Sequence, residues 1–300
     1  MSQPLFDAET AAFLPWDRLV REIELLLADP AVEVPQRQVL PLPGGGSLFV
    51  MPALDGRIAI TKLITFTPAN AGTGRPAIQG DVVVFDAATG RRLLVLDGPT
   101  VTARRTAAVS LLAAQRLAPH PAGPLLIVGA GAQGAAHLEA FAQGLPITQV
   151  WVASRSQASA QALVAHARSL GLLASAIADP NAAVPDCPLV VTCTPASGVV
   201  LSALPRGDAF IAAVGAFTPE MVELGPDLCR HVAATGSVVV DTPDAQHEAG
   251  DLLQAGLDVQ RLPCLADVLA GRAVTTGPVL FKSCGWAGWD LAAARAATAS

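Results

Sequence analysis

The sequence predicts an α/β protein with two domains, one built on a doubly wound parallel sheet and one of mixed α+β structure. In the second half of the chain, short apolar runs alternate with helical segments, which is the pattern of parallel strands covered by helices. In the first half, strand-like runs are joined by short glycine-containing turns, which favours antiparallel pairing. A proline-rich segment at 118–124 separates the halves and marks the predicted domain boundary.

The composition favours a compact globular protein. The 300 residues suffice for one large or two ordinary domains, and 52% of them are hydrophobic while 15% are charged. A net charge of −6 argues against a nucleic-acid partner. We find neither a targeting segment nor the run of about 18 apolar residues that a spanning helix needs. We therefore expect no membrane partner and a cytoplasmic location.

The cysteines and histidines show no spacing typical of a metal or redox site. The five cysteines include no Cys-x-x-Cys pair, and the five histidines include no i, i+4 pair. We expect the cysteines to be reduced, mostly buried and apolar in character. We expect no metal site.

The first half of the chain begins with a predicted helix at 6–27, where apolar side chains recur at helical spacing and Asp7 or Thr10 can cap the first turn. A second helix is predicted at 100–117, capped by Thr100 or Thr102. Between the helices we expect an antiparallel sheet with strands at 34–43, 47–52, 57–66, 77–86 and 92–97, and glycine turns at 44–46 and 87–91.

The strongest local pattern lies at 125–134, where an apolar run leads into Gly-x-Gly-x-x-Gly and then into a helical segment. Strand, tight turn and helix in this order predict a Rossmann-type dinucleotide site, with the pyrophosphate at the helix N-terminus. Gly129 permits the turn, Gly131 lets the backbone approach the pyrophosphate, and Gly134 lets the helix pack closely. A structural glycine loop is the alternative, but an apolar run at 149–153 follows where the next parallel strand is expected.

The end of that second strand indicates which cofactor binds. NAD-binding folds usually carry an acidic residue there, which holds the ribose 2′-hydroxyl. This chain has Ser154, Arg155 and Ser156 instead. No carboxylate is present to repel a 2′-phosphate, and the planar guanidinium of Arg155 suits phosphate. We predict NADPH, with NADH as the alternative; Arg155 could instead be an ordinary solvated side chain.

Strands of the second half are predicted at 125–129, 149–153, 172–177, 189–194, 209–214 and 237–241, with helices at 156–170 and 289–297. Ligands of doubly wound sheets bind at the carboxyl ends of the strands. We therefore expect the segments that begin at Thr194, Val214 and Asp241 to line the binding crevice.

Three cations of the first half stand in apolar or extended surroundings: Arg37, Lys62 and Arg105. A charge inside an apolar strand costs several kcal/mol unless it is paired. Lys62 therefore lies either on an exposed strand face or against an anionic ligand. Arg104 and Arg105 are adjacent on a helix and point to different faces, so at most one of them reaches such a ligand.

Several motifs occur in order along nearly the whole chain. They are Arg37 within Pro-x-Arg, Met51-Pro52, Lys62, residues 102–108, the glycine run 129–133, Val-Gly-Ala at 214–216, Glu223-Leu224 and Phe-Lys-Ser-x-Gly at 281–285. Together they resemble the ornithine cyclodeaminase and mu-crystallin family. The resemblance implies a homodimer, in which residues 1–119 and a returning helix at 287–300 bind substrate and form the interface. Residues 120–286 would bind the cofactor.

The same resemblance implies roles for individual residues. Arg37, Lys62 and Arg105 would surround the carboxylate of an amino or imino acid, with Arg105 as the main clamp and Lys62 as a proton donor. Met51 and Phe217 would complete the substrate site, and Lys62 and Arg105 would be catalytic. The predicted cofactor-binding residues are Gly129, Gly131, Ala132, Gln133, Gly134, Ser154, Arg155, Ser156, Thr194, Val214, Ser283 and Gly285, the last two near the nicotinamide.

One residue departs from the family pattern. Cyclodeaminases carry Asp after Val-Gly-Ala, whereas this chain has Phe217. A phenyl ring can neither take a proton nor pair with an ammonium, which disfavours cyclodeamination. The segment resembles that of the Δ1-pyrroline-2-carboxylate and Δ1-piperideine-2-carboxylate reductases, which would place the protein in proline metabolism.

The leading prediction is therefore an imine reductase that transfers a hydride from NADPH to a cyclic imino acid and yields L-proline or L-pipecolate. Two enzyme alternatives are an ornithine cyclodeaminase and an alanine-type dehydrogenase. A non-enzyme alternative is an NADPH-dependent small-molecule binding protein of the mu-crystallin type.

Overall fold

The computed structural model describes residues 4–5, 7–70, 73–195 and 197–299. The chain forms two compact units: the first runs to Thr106 and is completed by the residues from Trp286 onwards, and the second is Ala107–Gly285. The division lies inside a helix, whereas the proline-rich segment at 118–124 belongs to the second unit. No helix in the described ranges has the length and apolar character needed to cross a membrane.

Strands and helices are numbered in chain order. The strands are β1 (Pro4–Leu5), β2 (Gln38–Leu42), β3 (Gly46–Leu54), β4 (Ile58–Phe66), β5 (Ile78–Asp86), β6 (Arg92–Asp97), β7 (Pro124–Val128), β8 (Gln149–Ala153), β9 (Leu173–Ile177), β10 (Leu189–Thr192), β11 (Ser197–Leu201), β12 (Phe210–Ala213), β13 (Val222–Leu224), β14 (Ser237–Val240) and β15 (Val279–Lys282). The helices are α1 (Asp7–Ala12), α2 (Trp16–Leu27), α3 (Gly98–Leu117), α4 (Ala132–Gly144), α5 (Gln157–Ser169), α6 (Pro180–Ala183), α7 (Pro226–Thr235), α8 (Gly250–Gln254), α9 (Leu265–Leu269) and α10 (Ala287–Thr298).

The first unit is built on a six-stranded sheet in the order β1-β6-β5-β4-β3-β2. All neighbours are antiparallel except β1 and β6, so the predicted antiparallel sheet is confirmed. The turn between β2 and β3 uses Gly44 and Gly45 at φ 84° and 81°, a conformation that favours glycine. Helix α10 packs on α2, β3 and β4, and it covers the face of β4 that buries Ile58, Ile60 and Ile64.

Three predictions about the helices that begin in the first unit were wrong. The helix predicted at 6–27 is divided into α1 and α2, because Pro15 lies at the N-cap of α2. Thr10 does not cap a helix, since its hydroxyl accepts the N–H of Asp97 at 3.0 Å. Helix α3 begins at Gly98, and Asp97 rather than a threonine caps it, because its carboxylate accepts the N–H of Thr100 at 2.8 Å. Phe6 and Ser300, which fall within predicted helices, lie outside the described residues.

The second unit contains a seven-stranded parallel sheet in the order β14-β15-β12-β10-β7-β8-β9. All six strands predicted from the sequence are present, and the doubly wound Rossmann-type fold is confirmed. The sequence did not predict β15 as a strand, yet it lies between β12 and β14. The strands β10, β12 and β15 are buried along their whole length, as expected for strands covered on both faces. A separate two-stranded sheet pairs β11 with β13.

Candidate active site

The glycine turn after β7 has the geometry of a phosphate-binding loop. Gly129 adopts φ 117°, and a β-carbon there would lie 2.7 Å from the carbonyl oxygen of Cys193. A β-carbon on Gly134 would lie 2.1 Å from the carbonyl oxygen of Gly129, so the first turn of α4 packs against the loop only because both residues are glycine. Gly131 is exposed and has no protein atom within 4 Å of its β-carbon position, which leaves the N-terminus of α4 accessible.

The segment after β8 carries no acidic side chain. Ser156 caps α5, because its hydroxyl oxygen accepts the N–H of Ser159 at 3.2 Å. Ser154 accepts the N–H of Ser156 at 3.3 Å, which fixes the turn. Arg155 between them is exposed. The two serines thus shape the turn, while the guanidinium of Arg155 projects from it.

A buried carboxylate ties together the ends of β10 and β12. Glu223 accepts the backbone N–H of Thr194 at 2.6 Å, the hydroxyl of Thr194 at 3.0 Å and the backbone N–H of Gly215 at 2.6 Å. Burial raises the pKa of Glu223, and these donors together with Lys282 act in the opposite direction. Thr194 and Gly215 follow strands whose carboxyl ends are adjacent, so Glu223 fixes the backbone where a ligand of the sheet would bind.

Asp251 and Lys282 form a second buried pair beside Glu223. The Nζ of Lys282 lies 2.6 Å from Oδ2 of Asp251, and both side chains are fully buried. Asp251 also accepts the N–H groups of Glu223 and Leu224 at 2.5 and 2.8 Å. Burial alone would lower the pKa of Lys282, but the neighbouring carboxylates, Asp251 first and then Glu223, reverse this effect and the pKa is raised. Lys282 is therefore a structural cation held at the end of β15.

Asp241 at the end of β14 positions two predicted nicotinamide contacts. Its Oδ2 accepts the Ser283 hydroxyl at 2.8 Å and the N–H groups of Cys284 and Gly285 at 3.0 and 2.9 Å. Gly285 adopts φ 89°, which favours glycine. One buried carboxylate therefore sets the conformation of the whole segment after β15.

The other predicted residues of the second unit occupy the loop and the strand ends. Ala132 is exposed at the start of α4, and the carbonyl of Gln133 lies 2.8 Å from Nδ1 of His137. Val214 follows β12, and its N–H donates to Thr192 at 2.9 Å. Phe217 is 42% exposed. All five cysteines are buried and reduced, as predicted.

The first unit contains a buried charge cluster. Nζ of Lys62 lies 2.7 Å from Oδ2 of Asp290, and Nε of Arg105 lies 3.3 Å from Oδ1 of the same residue. The three side chains are 2%, 8% and 0% exposed for Lys62, Arg105 and Asp290. Two cations thus share one buried carboxylate.

The cluster lowers the pKa of Lys62 to about 8. Burial is the largest cause, Asp290 opposes it, and the positive charges of Arg105 and Arg37 lower the pKa further. The influence of Arg37 indicates that this half-buried residue, which precedes β2, lies near the cluster. Met51 on β3 is the cross-strand partner of Lys62 and is buried as well. The structure therefore brings together four of the predicted substrate residues.

Sequence reasoning missed Asp290. The sequence allowed two explanations for Lys62, an exposed strand face or an anionic ligand. The prediction of an exposed face was wrong, because Lys62 is buried. Lys62 is instead buried against a carboxylate of the protein itself. The signal in the sequence was a single acidic residue near the start of the alanine-rich helix α10.

The second unit, with its parallel sheet and glycine turn, and the first unit, which buries a cation cluster, together define a Rossmann-type α/β protein with a mixed α+β unit. The sequence profile of the ornithine cyclodeaminase/mu-crystallin family matches residues 24–298. The chain belongs to this family, as its motifs predicted.

Similarity to individual proteins extends over almost the whole chain. Delta(1)-pyrroline-2-carboxylate reductase 2 of Burkholderia ambifaria is 42% identical over 98% of this chain and 94% of the relative. Delta(1)-pyrroline-2-carboxylate/Delta(1)-piperideine-2-carboxylate reductase of Azospirillum brasilense is 41% identical with the same coverage. Both relatives are oxidoreductases that act on C=N bonds, and the predicted branch of the family is confirmed.

A solved structure shows the same fold. Thermococcus litoralis Delta(1)-pyrroline-2-carboxylate reductase, in complex with NADH and L-proline, has a TM-score of 0.84 and 23% sequence identity. The match covers 98% of this chain and 93% of the other.

Proposed function

We propose that this protein reduces cyclic imino acids, Δ1-pyrroline-2-carboxylate and/or Δ1-piperideine-2-carboxylate, to L-proline and L-pipecolate. The observation that carries the proposal is the buried cluster at Asp290, where Lys62 and Arg105 leave one positive charge unbalanced. A substrate carboxylate would balance that charge, and Arg37 would add to the attraction. Near full-length similarity to pyrroline-2-carboxylate reductases supports the same substrate class.

Within this proposal, Arg105 clamps the substrate carboxylate and Lys62 gives a proton to the imine nitrogen. A protonated imine is electrophilic at carbon, so the proton prepares that carbon for hydride. A lysine whose pKa is about 8 is mostly protonated at neutral pH and releases its proton more readily than an ordinary lysine. Positioned general acids typically give about 10²–10⁴-fold. Phe217 would wall the apolar part of the ring.

We propose NADPH as the cofactor, bound by the second unit. The residues fit the group: Gly129 and Gly134 close a turn that side chains would fill, and Gly131 leaves the N-terminus of α4 accessible for a pyrophosphate. The exposed Arg155 after β8 favours a 2′-phosphate, since no carboxylate stands there. Thr194, Val214, Ser283 and Gly285 would complete the site. When bound, the cofactor supplies the hydride that reduces the C=N bond.

We also propose a homodimer formed through the first unit. The sheet face opposite Lys62 carries Leu40, Leu48, Val50 and Leu63 on neighbouring strands. Leu40 and Leu63 are 47% and 38% exposed, which is unusual for apolar side chains clustered on one face. Light scattering should give twice the chain mass, and Leu63→Glu should reduce it to the chain mass. A monomeric wild type would contradict the dimer.

A substrate panel tests the function. Purified protein is mixed with five- and six-membered cyclic imino acids and with NADPH or NADH, and the loss of reduced-cofactor absorbance is followed. We expect turnover with NADPH and a cyclic imino acid, and no ammonia from ornithine with an oxidised cofactor. Tight NADPH binding without turnover would instead identify a binding protein. Ammonia release from ornithine would identify a cyclodeaminase despite Phe217.

A further inference from the structure

Asp290 holds an unusual position among the charged residues of the first unit. Its side chain is fully buried, and its two oxygens face two different cations, Lys62 at 2.7 Å and Arg105 at 3.3 Å. Removing a carboxylate from such a place would leave buried positive charges without compensation, which is strongly unfavourable. Neither the motifs of the sequence nor the predicted substrate site assigned this residue a role.

Two features of α10 hold Asp290 in its position. It lies in the first turn of α10, where the helix dipole favours a carboxylate. Further along the same helix, Arg295 is bound at 2.6 Å by both Asp29 and Asp55, which follow α2 and β3. These ion pairs anchor α10, so the backbone of Asp290 is held beside Lys62.

We propose that Asp290 is a positioning residue for the reduction, which keeps Lys62 protonated and aligned as proton donor while it orients Arg105 toward the substrate carboxylate. This inference rests on the proposed function. Asp290 would have two effects. It neutralises only one of the two positive charges, so the cluster still attracts an anion, and it keeps Lys62 protonated, so that the lysine can donate a proton.

The surroundings of Lys62 support this role. Apart from Asp290, the largest influences on Lys62 disfavour its charged form: burial and the guanidinium groups of Arg105 and Arg37. The cross-strand neighbours Met51 and Val82 are apolar and offer no compensation. With Asp290 neutralised, the pKa of Lys62 should fall well below about 8, and Lys62 would be largely neutral at pH 7.

The chain allows a direct test, because Lys62 and Lys282 are its two lysines. Labelling with ¹³C-lysine gives two side-chain signals, and Lys62→Arg assigns them. In the whole protein, we expect the titration midpoint of Lys62 to fall by at least one pH unit in Asp290→Asn, while the signal of Lys282 stays unchanged. An unchanged or raised Lys62 midpoint would overturn the proposal.

A matched control is Asp29→Asn, which removes another carboxylate that binds α10 but does not contact Lys62. It should lower stability and leave the Lys62 midpoint in place. If Asp290→Asn does not fold, Arg105→Gln provides the second test. The midpoint should rise for two reasons, because the charge of Arg105 is lost and because Asp290 then pairs with Lys62 alone; a midpoint that stays or falls would contradict the proposal.

Activity gives the second readout. Wild-type kcat/KM should decrease as pH rises through the Lys62 midpoint, and this decrease should begin at lower pH in Asp290→Asn. At pH values above both midpoints, kcat/KM of the variant should be about tenfold lower for every pH unit that separates the two midpoints. The imine's own titration affects both proteins equally. An equal loss of kcat/KM at every pH would indicate that Asp290 has a purely structural role.

If the wild-type protein reduces no cyclic imine, the proposed function fails, whereas the lysine titration still decides the role of Asp290.

Discussion

Arg104 and Arg105 are neighbours in the chain but contact different parts of the first unit. The guanidinium carbon of Arg104 lies 3.9 Å from the ring centroid of Trp16, and its Nε donates to the carbonyl of Leu14 at 2.8 Å. The Nε of Arg105 lies 3.3 Å from Asp290. Adjacent positions on one helix therefore provide a packing cation and a cation of the candidate site, which form a natural pair for mutagenesis.

Replacing Arg105 by Ala should lower kcat/KM for a cyclic imino acid by roughly 30- to 5000-fold, equivalent to about 2–5 kcal/mol. The reason is that the substrate carboxylate loses its main charged partner. Steady-state kinetics measure the change. Arg104→Ala is the control: it should reduce thermal stability but leave kcat/KM within about threefold, as expected for lost surface packing. Equal losses of kcat/KM in both variants would show that Arg105 has no specific role in substrate binding.

Replacing Arg155 by Asp should shift cofactor preference from NADPH toward NADH. An acidic side chain after β8 would repel a 2′-phosphate and accept a hydrogen bond from a 2′-hydroxyl. The ratio of kcat/KM values for the two cofactors should fall by at least about 100-fold, on the scale of a lost charge pair. Arg155→Gln removes the attraction for the 2′-phosphate without adding repulsion, so its ratio should lie between those of the wild type and Arg155→Asp. A ratio unaffected by either change would refute the assignment of Arg155.

Replacing Glu223 by Gln should destabilise the second unit by about 1–3 kcal/mol, the usual cost of leaving buried donors unsatisfied. An amide supplies one acceptor oxygen, whereas Thr194 and Gly215 together present three donors to the carboxylate. Urea unfolding of the protein without cofactor measures the loss. Thr194→Val removes the hydroxyl alone and should cost less than Glu223→Gln. The reverse order would show that the backbone contacts contribute little.

Stability should decrease in mild acid because of His137. Its ring nitrogens lie 2.8 Å from the carbonyl of Gln133 and 2.9 Å from Oγ of Ser110, and burial lowers its pKa from 6.5 to about 4. Below about pH 6.5 the unfolded chain binds a proton that the folded state does not take up. The free energy of unfolding should therefore fall between pH 6.5 and 4 by at most about 3 kcal/mol.

Chemical unfolding at several pH values tests this expectation against His137→Gln, which cannot titrate there. Other groups contribute equally to both proteins, so the difference between their slopes isolates the histidine. Parallel slopes would mean that His137 accepts a proton in the folded state.

Local signals in the sequence were sufficient for most of the fold. The glycine run at 129–134 and the alternating apolar runs predicted the parallel sheet, because strands buried on both faces have a continuous apolar sequence. Strand β15 escaped prediction because it is short and ends in Lys282, a charge that the sheet accepts only through Asp251. That partner lies on another element, so no local pattern indicates it.

In the candidate site, too, local patterns in the sequence indicated single residues but not their distant partners. Lys62 stood out because it interrupts an apolar strand, and its buried position follows from the alternation of β4. Its partner could not be inferred, since Asp290 is distant in the chain and joins it only when α10 packs on β4. The roles of Arg37, Met51 and Phe217 stay predictions that the substrate experiments address.

Helix α10 belongs to the first unit although the whole second unit precedes it in the chain. During translation, strands β2 to β6 leave the ribosome well before the helix that covers β4. Until α10 is synthesised, the face of β4 that carries Ile58, Ile60 and Lys62 lacks the helix that covers it in the folded protein. A chain truncated before α10 would therefore expose apolar surface and should aggregate more readily than the full chain.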